Sequence, residues 1–163
     1  MNRNLLLLML LTACGRLPKS MVVGYPKDLP DRENILYKVV LCPEGSGRME
    51  SINIMESYRY HYFPSNSDQP AVLFEVRGSS APQGYRAVNS WKTSEEHHFL
   101  WGVGRNNARH VTINESTGTG RHMAYFPSVR LGSKIRVEEA SDGSWRNGDS
   151  IPASIHCLER IET

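Results

Sequence analysis

An all-β fold, a single sandwich or barrel-like domain, is what this sequence predicts, and three observations carry that reading. Short runs of apolar alternation recur along residues 34–163, and clusters of Gly, Pro, Asn, Asp and Ser separate them. No stretch sustains a helical face over three turns, although Ser94-Glu-Glu-His97 is able to open a single turn.

The elements follow in chain order. Residues 35–42, Ile-Leu-Tyr-Lys-Val-Val-Leu-Cys, are rich in β-branched and aromatic side chains and end at the turn cluster Pro43-Glu-Gly-Ser-Gly47. Residues 49–55 alternate, with Ile52 and Ile54 on one face. Residues 58–63 alternate too: Tyr58, Tyr60 and Tyr62 face one way, Arg59 and His61 the other, because successive side chains of a strand point to opposite faces. A turn at 64–68 leads to a strand over 71–77. Further strands are predicted at 85–91, 99–103, 110–113, 122–126, 134–139 and 153–161, with turns at 78–82, 104–107, 118–120, 141–143 and 147–149.

Composition bounds what such a domain can do. The 163 residues include 37 Leu, Ile, Val and Phe, close to the level below which a chain struggles to bury a core. Seven Tyr and three Trp must supplement that core. Nineteen basic against 17 acidic residues argue against a broad polyanion-binding surface, so nucleic acid is not an expected partner. A two-domain enzyme and a polytopic membrane protein do not fit a chain of this length and texture.

The first residues form their own unit. Met1-Asn-Arg3-Asn supplies one positive charge, and residues 5–11 are an unbroken apolar run, Leu-Leu-Leu-Leu-Met-Leu-Leu. Seven helical residues span only about 10 Å, far short of a bilayer, so the run is the apolar part of an export signal. Leu11-Thr12-Ala13-Cys14-Gly15 then resembles the lipobox of bacterial lipoproteins. That resemblance implies removal of residues 1–13 and lipidation of Cys14 as the new first residue. With several acyl chains the attachment is stable, because two chains already suffice. Gly15, where an inner-membrane retention signal resembles Asp, implies transport to the outer membrane, facing the periplasm. Residues 14–33, with Pro18, Pro26 and Pro30, read as a flexible tether to a domain over 34–163.

Cysteine arithmetic agrees with that address. Once Cys14 carries lipid, Cys42 and Cys157 remain, and an even remainder in an oxidising compartment suggests a disulfide. The alternative is two free buried thiols. A metal pair fits less well, since no CxxC or CxxH spacing exists.

No catalytic constellation follows from the spacings. The adjacent His97 and His98 point to opposite faces of a strand, while His110 and His122 stand alone beside arginines. GxSxG, SxxK and P-loop patterns are missing, and the glycine pairs 102/104 and 118/120 lack the third glycine of a dinucleotide site. The neighbours Glu95-Glu96 and Glu138-Glu139 read as solvated surface rather than as carboxylates facing across a cleft. Asn114-Glu-Ser116 matches a glycosylation pattern that carries no meaning in a bacterial lipoprotein. The expectation is a non-enzymatic protein with no metal or cofactor.

Two aromatic patches stand out, residues 58–63 and the segment between Trp91 and Trp101. Each is first of all core, and the non-core side of 58–63 presents Arg59 and His61 as the candidate surface for a periplasmic protein partner. The layout of residues 42–54, a strand ending in Cys42, a polar turn and an alternating strand, is similar to periplasmic immunity lipoproteins of type VI secretion. That resemblance implies a module that binds a secreted toxin. An envelope-assembly accessory of the pilotin kind, which it resembles in size and disulfide use, is the alternative.

Overall fold

The computed structural model describes residues 18–43, 55–103, 107–125, 137–139, 145–147, 152 and 154–162. The leader, Cys14 and most of the strand expected at 49–55 lie outside the described residues. So do the turns at 44–47 and 141–143, residues 104–106, Phe126 and residues 134–136.

Among the described residues twelve strands are formed: β1 (Met21–Val23), β2 (Ile35–Val40), β3 (Arg59–Phe63), β4 (Val72–Arg77), β5 (Gln83–Arg86), β6 (Ser90–Lys92), β7 (His97–Val103), β8 (Asn107–Asn114), β9 (Thr119–Tyr125), β10 (Val137–Glu139), β11 (Trp145–Asn147) and β12 (Ser154–Arg160). Ten of them make one antiparallel sheet in the order β1-β5-β4-β3-β2-β12-β9-β8-β7-β6, and β10 pairs with β11 separately. The all-β prediction is correct, and the sheet curls into a half-barrel.

The curl follows from one bend. Residues 85–91, read from sequence as one strand, break at 87–89 into β5 and β6, which stand at nearly opposite ends of the sheet order. Four residue steps reach at most about 14 Å, so those ends must lie close together. Backbone bonds anchor the link on both sides: the Ala87 N–H donates to the Leu73 carbonyl of β4, and the Leu100 N–H of β7 donates to the Asn89 carbonyl.

The concave face is filled by Tyr37, Val39, Tyr60, Tyr62, Leu73, Phe99, Trp101, Val111, Ile113 and Leu158. Tyr60 and Tyr62 are fully buried there, as the alternation of 58–63 predicts. Tyr62 meets Phe99 edge to face with centroids 6.1 Å apart, although β3 and β7 are not neighbours in the sheet, so the contact crosses the interior.

Residues 18–33, expected as part of a tether, join the fold instead. β1 pairs with β5 in the register Met21↔Arg86, Val22↔Tyr85, Val23↔Gly84. Val23 and Leu29 pack on Phe63, Val72 and Phe74 on the convex face. Arg32 fastens the segment by donating to the carbonyls of Pro64 (3.1 Å) and Pro70 (2.9 Å). The prolines that suggested a tether deny helix and ladder bonds, yet they do not prevent a short strand between them from docking at a sheet edge.

Cys42 and Cys157 form a disulfide, with an S–S distance of 2.07 Å. It joins the chain just past β2 to β12, which already pair through Val40↔Cys157 and Val39↔Leu158.

Candidate functional site

A cleft of about 200 Å³ opens at one end of the half-barrel, lined by Lys92, Ser94, Glu95, Glu96, His97, Ile113, Glu115 and Ser116. Two loops build it. The β6–β7 hairpin closes with Lys92 opposite His97, and its loop is held by the Thr93 N–H donating to the Glu96 carbonyl. Here the expected helical turn at 94–97 gives way to a hairpin bend. The β8–β9 turn is wound on Asn114, whose Oδ1 accepts from the Thr117 N–H and the Ser116 hydroxyl, while the Gly118 N–H donates to its carbonyl. Gly118 takes a φ of +67°, which a side chain would strain.

At the base of the cleft three side chains from distant parts of the chain form a relay. The buried Tyr62 hydroxyl donates to Glu115 Oε1 and is also hydrogen-bonded to His97 Nδ1. Burial, followed by the bond to Glu115, pushes the Tyr62 phenol far above its ordinary range, so it stays protonated. Its O–H is therefore donated to Glu115, and its oxygen accepts from Nδ1–H of a neutral His97. Burial and then the nearby Lys92 lower the His97 pKa, which favours that neutral ring. The Nδ1–H tautomer leaves Nε2 as a bare acceptor at the wall of the cleft. Three carboxylates against one lysine make the lining acidic.

A second polar group sits on the concave face at the other end of β3. Glu75 is almost fully buried, accepts from the Tyr60 hydroxyl at 3.0 Å and pairs with Arg77 at 2.5 Å. Arg77 lies over the rings of Tyr58 and Tyr85, 5.3 and 4.8 Å from their centroids. Next to this group, burial and then the charges of Arg109, His156 and Arg77 press His122 down to about 3. His122 and His156 are cross-strand partners on β9 and β12, with ring centroids 6.2 Å apart.

The remaining histidines lie on the convex face. His98 stacks on Trp91 (centroids 4.8 Å, 9° between planes), and its Nδ1 shares a hydrogen bond with His110 Nε2 at 2.9 Å. Burial brings His110 down to about 3. His97 and His98 thus point to opposite faces, as their adjacency predicts. Among the described residues, no group of three His, Cys, Asp or Glu is placed to hold a metal ion.

Arg59 and His61, the expected partner surface, are both engaged within the fold. Both sit opposite the tyrosine face, but neither stands free on a bare surface. His61 is buried under Tyr25 of the N-terminal segment, with ring centroids 5.5 Å apart. Arg59 folds back along its own strand and donates to the carbonyls of Glu56 (2.7 Å) and Tyr58 (2.8 Å). Alternation assigns a side chain to a face, whereas the covering of that face depends on a segment 36 positions away.

The structure instead brings Tyr62, His97 and Glu115 together, a grouping absent from the sequence reading. In the sequence the three have separate characters, Tyr62 as core, His97 as a strand histidine and Glu115 inside a glycosylation-like triplet. Their juxtaposition depends on the curl, which no local spacing encodes. Comparison with protein-family models, curated proteins and solved structures gives no match for this chain.

Proposed function

We propose that the protein is an envelope lipoprotein, anchored to the outer membrane through lipid on Cys14, whose domain captures a protein partner in the periplasm without catalysing a reaction. One observation carries the reading: the Cys42–Cys157 bridge uses two of the three cysteines and leaves Cys14 of the lipobox as the single remaining thiol. A structural disulfide fits an oxidising compartment, and a lone cysteine behind an apolar leader fits acylation. The acidic cleft replaces Arg59 and His61 as the docking surface of this reading. A recess whose hydrogen-bonding groups are held by a relay is preorganised, which lowers the ordering cost of binding.

The layout shared with type VI immunity lipoproteins makes a toxin encoded beside this chain the first partner to try. Cells expressing the full chain are labelled with a fatty-acid probe, and the protein is then used to capture that partner. Incorporation should be lost in Cys14→Ala. Capture should weaken at least tenfold in Glu95→Lys/Glu96→Lys and should not require catalytic turnover of peptidoglycan. Labelling that survives Cys14→Ala refutes the anchor, and capture indifferent to the double reversal moves the interface away from the cleft.

A further inference from the structure

Pro18 already belongs to the fold, so very little chain separates the domain from Cys14. The Pro18 carbonyl accepts from the Gly102 N–H of β7 at 2.8 Å, and Lys19 bridges to Gly102 in parallel fashion. Four residue steps from Cys14 to Pro18 span at most about 14 Å. An acylated Cys14 cannot then let the domain hang tens of ångströms away, and whatever surface surrounds Pro18 to Val23 must meet the bilayer.

That surface has the composition of a membrane contact. Four large apolar side chains are exposed among the described residues: Met21 (51%), Val22 (71%), Val88 (43%) and Leu41 (43%). Met21 and Val22 lie on β1, the terminal strand of the sheet. Val88 follows Arg86, the partner of Met21, by two residues, at most about 7 Å of chain, so three of the four gather near where the chain departs toward Cys14. Lys19 and Arg86 are both exposed there. Apolar side chains flanked by cations match the boundary between acyl chains and anionic headgroups. An apolar edge strand bare to water is also a hazard for pairing with other chains, and a bilayer covers it.

We infer that the β1 edge, with Met21 and Val22 and the nearby Val88 flanked by Lys19 and Arg86, is a membrane-docking ridge that seats the domain directly on an anionic bilayer surface. This rests on the lipidation reading above. Leu41 is the internal control: it is just as apolar, but it follows β2, which is separated from β1 by β5, β4 and β3. Four strand spacings place it about 19 Å away across the sheet.

The test uses the full lipidated chain in vesicles of three parts phosphatidylethanolamine to one part phosphatidylglycerol, with lipids brominated near the headgroup. Single tryptophans are introduced as V22W, V88W and L41W, and the emission each adds to the parent protein is compared. The added emission of V22W and V88W should fall at least twofold with brominated lipid, while that of L41W stays unchanged. Quenching of all three alike, or of neither V22W nor V88W, overturns the ridge. So does a V22W emission already shielded without vesicles in a concentration-dependent way, which would mark a contact between copies of this chain. Fatty-acid labelling separates the two readings. Labelled protein without quenching defeats the ridge alone, and unlabelled protein defeats the anchor and the ridge with it.

Discussion

Histidine in this protein is a core residue. Five of the six are buried, and His110 and His122 are brought down to about 3 by burial as the leading cause. Their folded pKa lies below the unfolded value of 6.5, so the unfolded chain takes up protons first as pH falls. Stability from these two groups is complete above about pH 6.5 and is lost progressively from there toward pH 3, at about 1.4 kcal/mol per pH unit for each ring that stays neutral. Urea unfolding at pH 7, 6 and 5 should show the free energy dropping in this way; a level profile over that range would refute the assignment. Glu75 is the complementary case. Its removal in Glu75→Ala leaves the Tyr60 hydroxyl and Arg77 without their acceptor, and should destabilise by about 3 kcal/mol in the same assay. A loss under 1 kcal/mol would mean that Arg77, one third exposed, recovers its solvation through water. At this scale the sequence is a good guide to faces: Tyr60 and Tyr62 inward, His61 outward, His97 and His98 divided. Coverage is where it falls short, because Tyr25 over His61 and Glu115 beside Tyr62 are brought in by remote chain.

The strands themselves are legible where alternation is clean, as in β3, or where a short apolar run is bounded by turn residues, as in β4. Two misreadings have physical causes. Residues 85–91 look like one run because Tyr85, Ala87 and Trp91 alternate, yet the chain changes partners at 87–89 to turn the corner of the half-barrel. Residues 18–33 look like a linker because their prolines break ladders, while three residues between those breaks suffice to pair with β5. Nothing in either segment announces its partner strand. Within the sheet, β9 depends on close approach at Gly120, where a Cβ would come within 2.2 Å of the Thr112 carbonyl oxygen of β8. Since that oxygen belongs to paired backbone, Gly120→Ala must force the two strands apart and should cost about 2 kcal/mol or more, read as a drop in melting temperature. A melting temperature within a degree of the parent would show that β8 yields at no cost. The candidate cleft is illegible for the same reason as the corner: Tyr62 of β3 reaches across the interior to His97 of β7 and to Glu115 in the β8–β9 turn, on strands not adjacent to β3.

For the whole molecule, the disulfide closes a loop of 115 residues in a domain whose aliphatic core is thin. A cross-link over a loop that long contributes about 4–5 kcal/mol in the chain-entropy view, which corresponds to roughly 10 °C in melting temperature at this size. Reduction under native conditions should produce a shift of that order by calorimetry, and a shift under 2 °C would place the burden of stability on the sheet alone. The position of β12 has a further consequence, in the order of manufacture. This strand lies between β2 and β9, near the middle of the sheet, yet among the described strands it comes last in chain order. As the polypeptide emerges, β3 to β5 and β6 to β9 can pair by consecutive hairpins, and β1 and β2 can add to the first blade beside β5 and β3, but the β2 and β9 edges stay raw until β12 arrives to knit them. Cys42 likewise waits for nearly the entire chain before its partner appears. Until β12 is made, the β2 and β9 edges and the Cys42 thiol lack the partners that close them, so a chain halted before β12 should stick to other copies of itself.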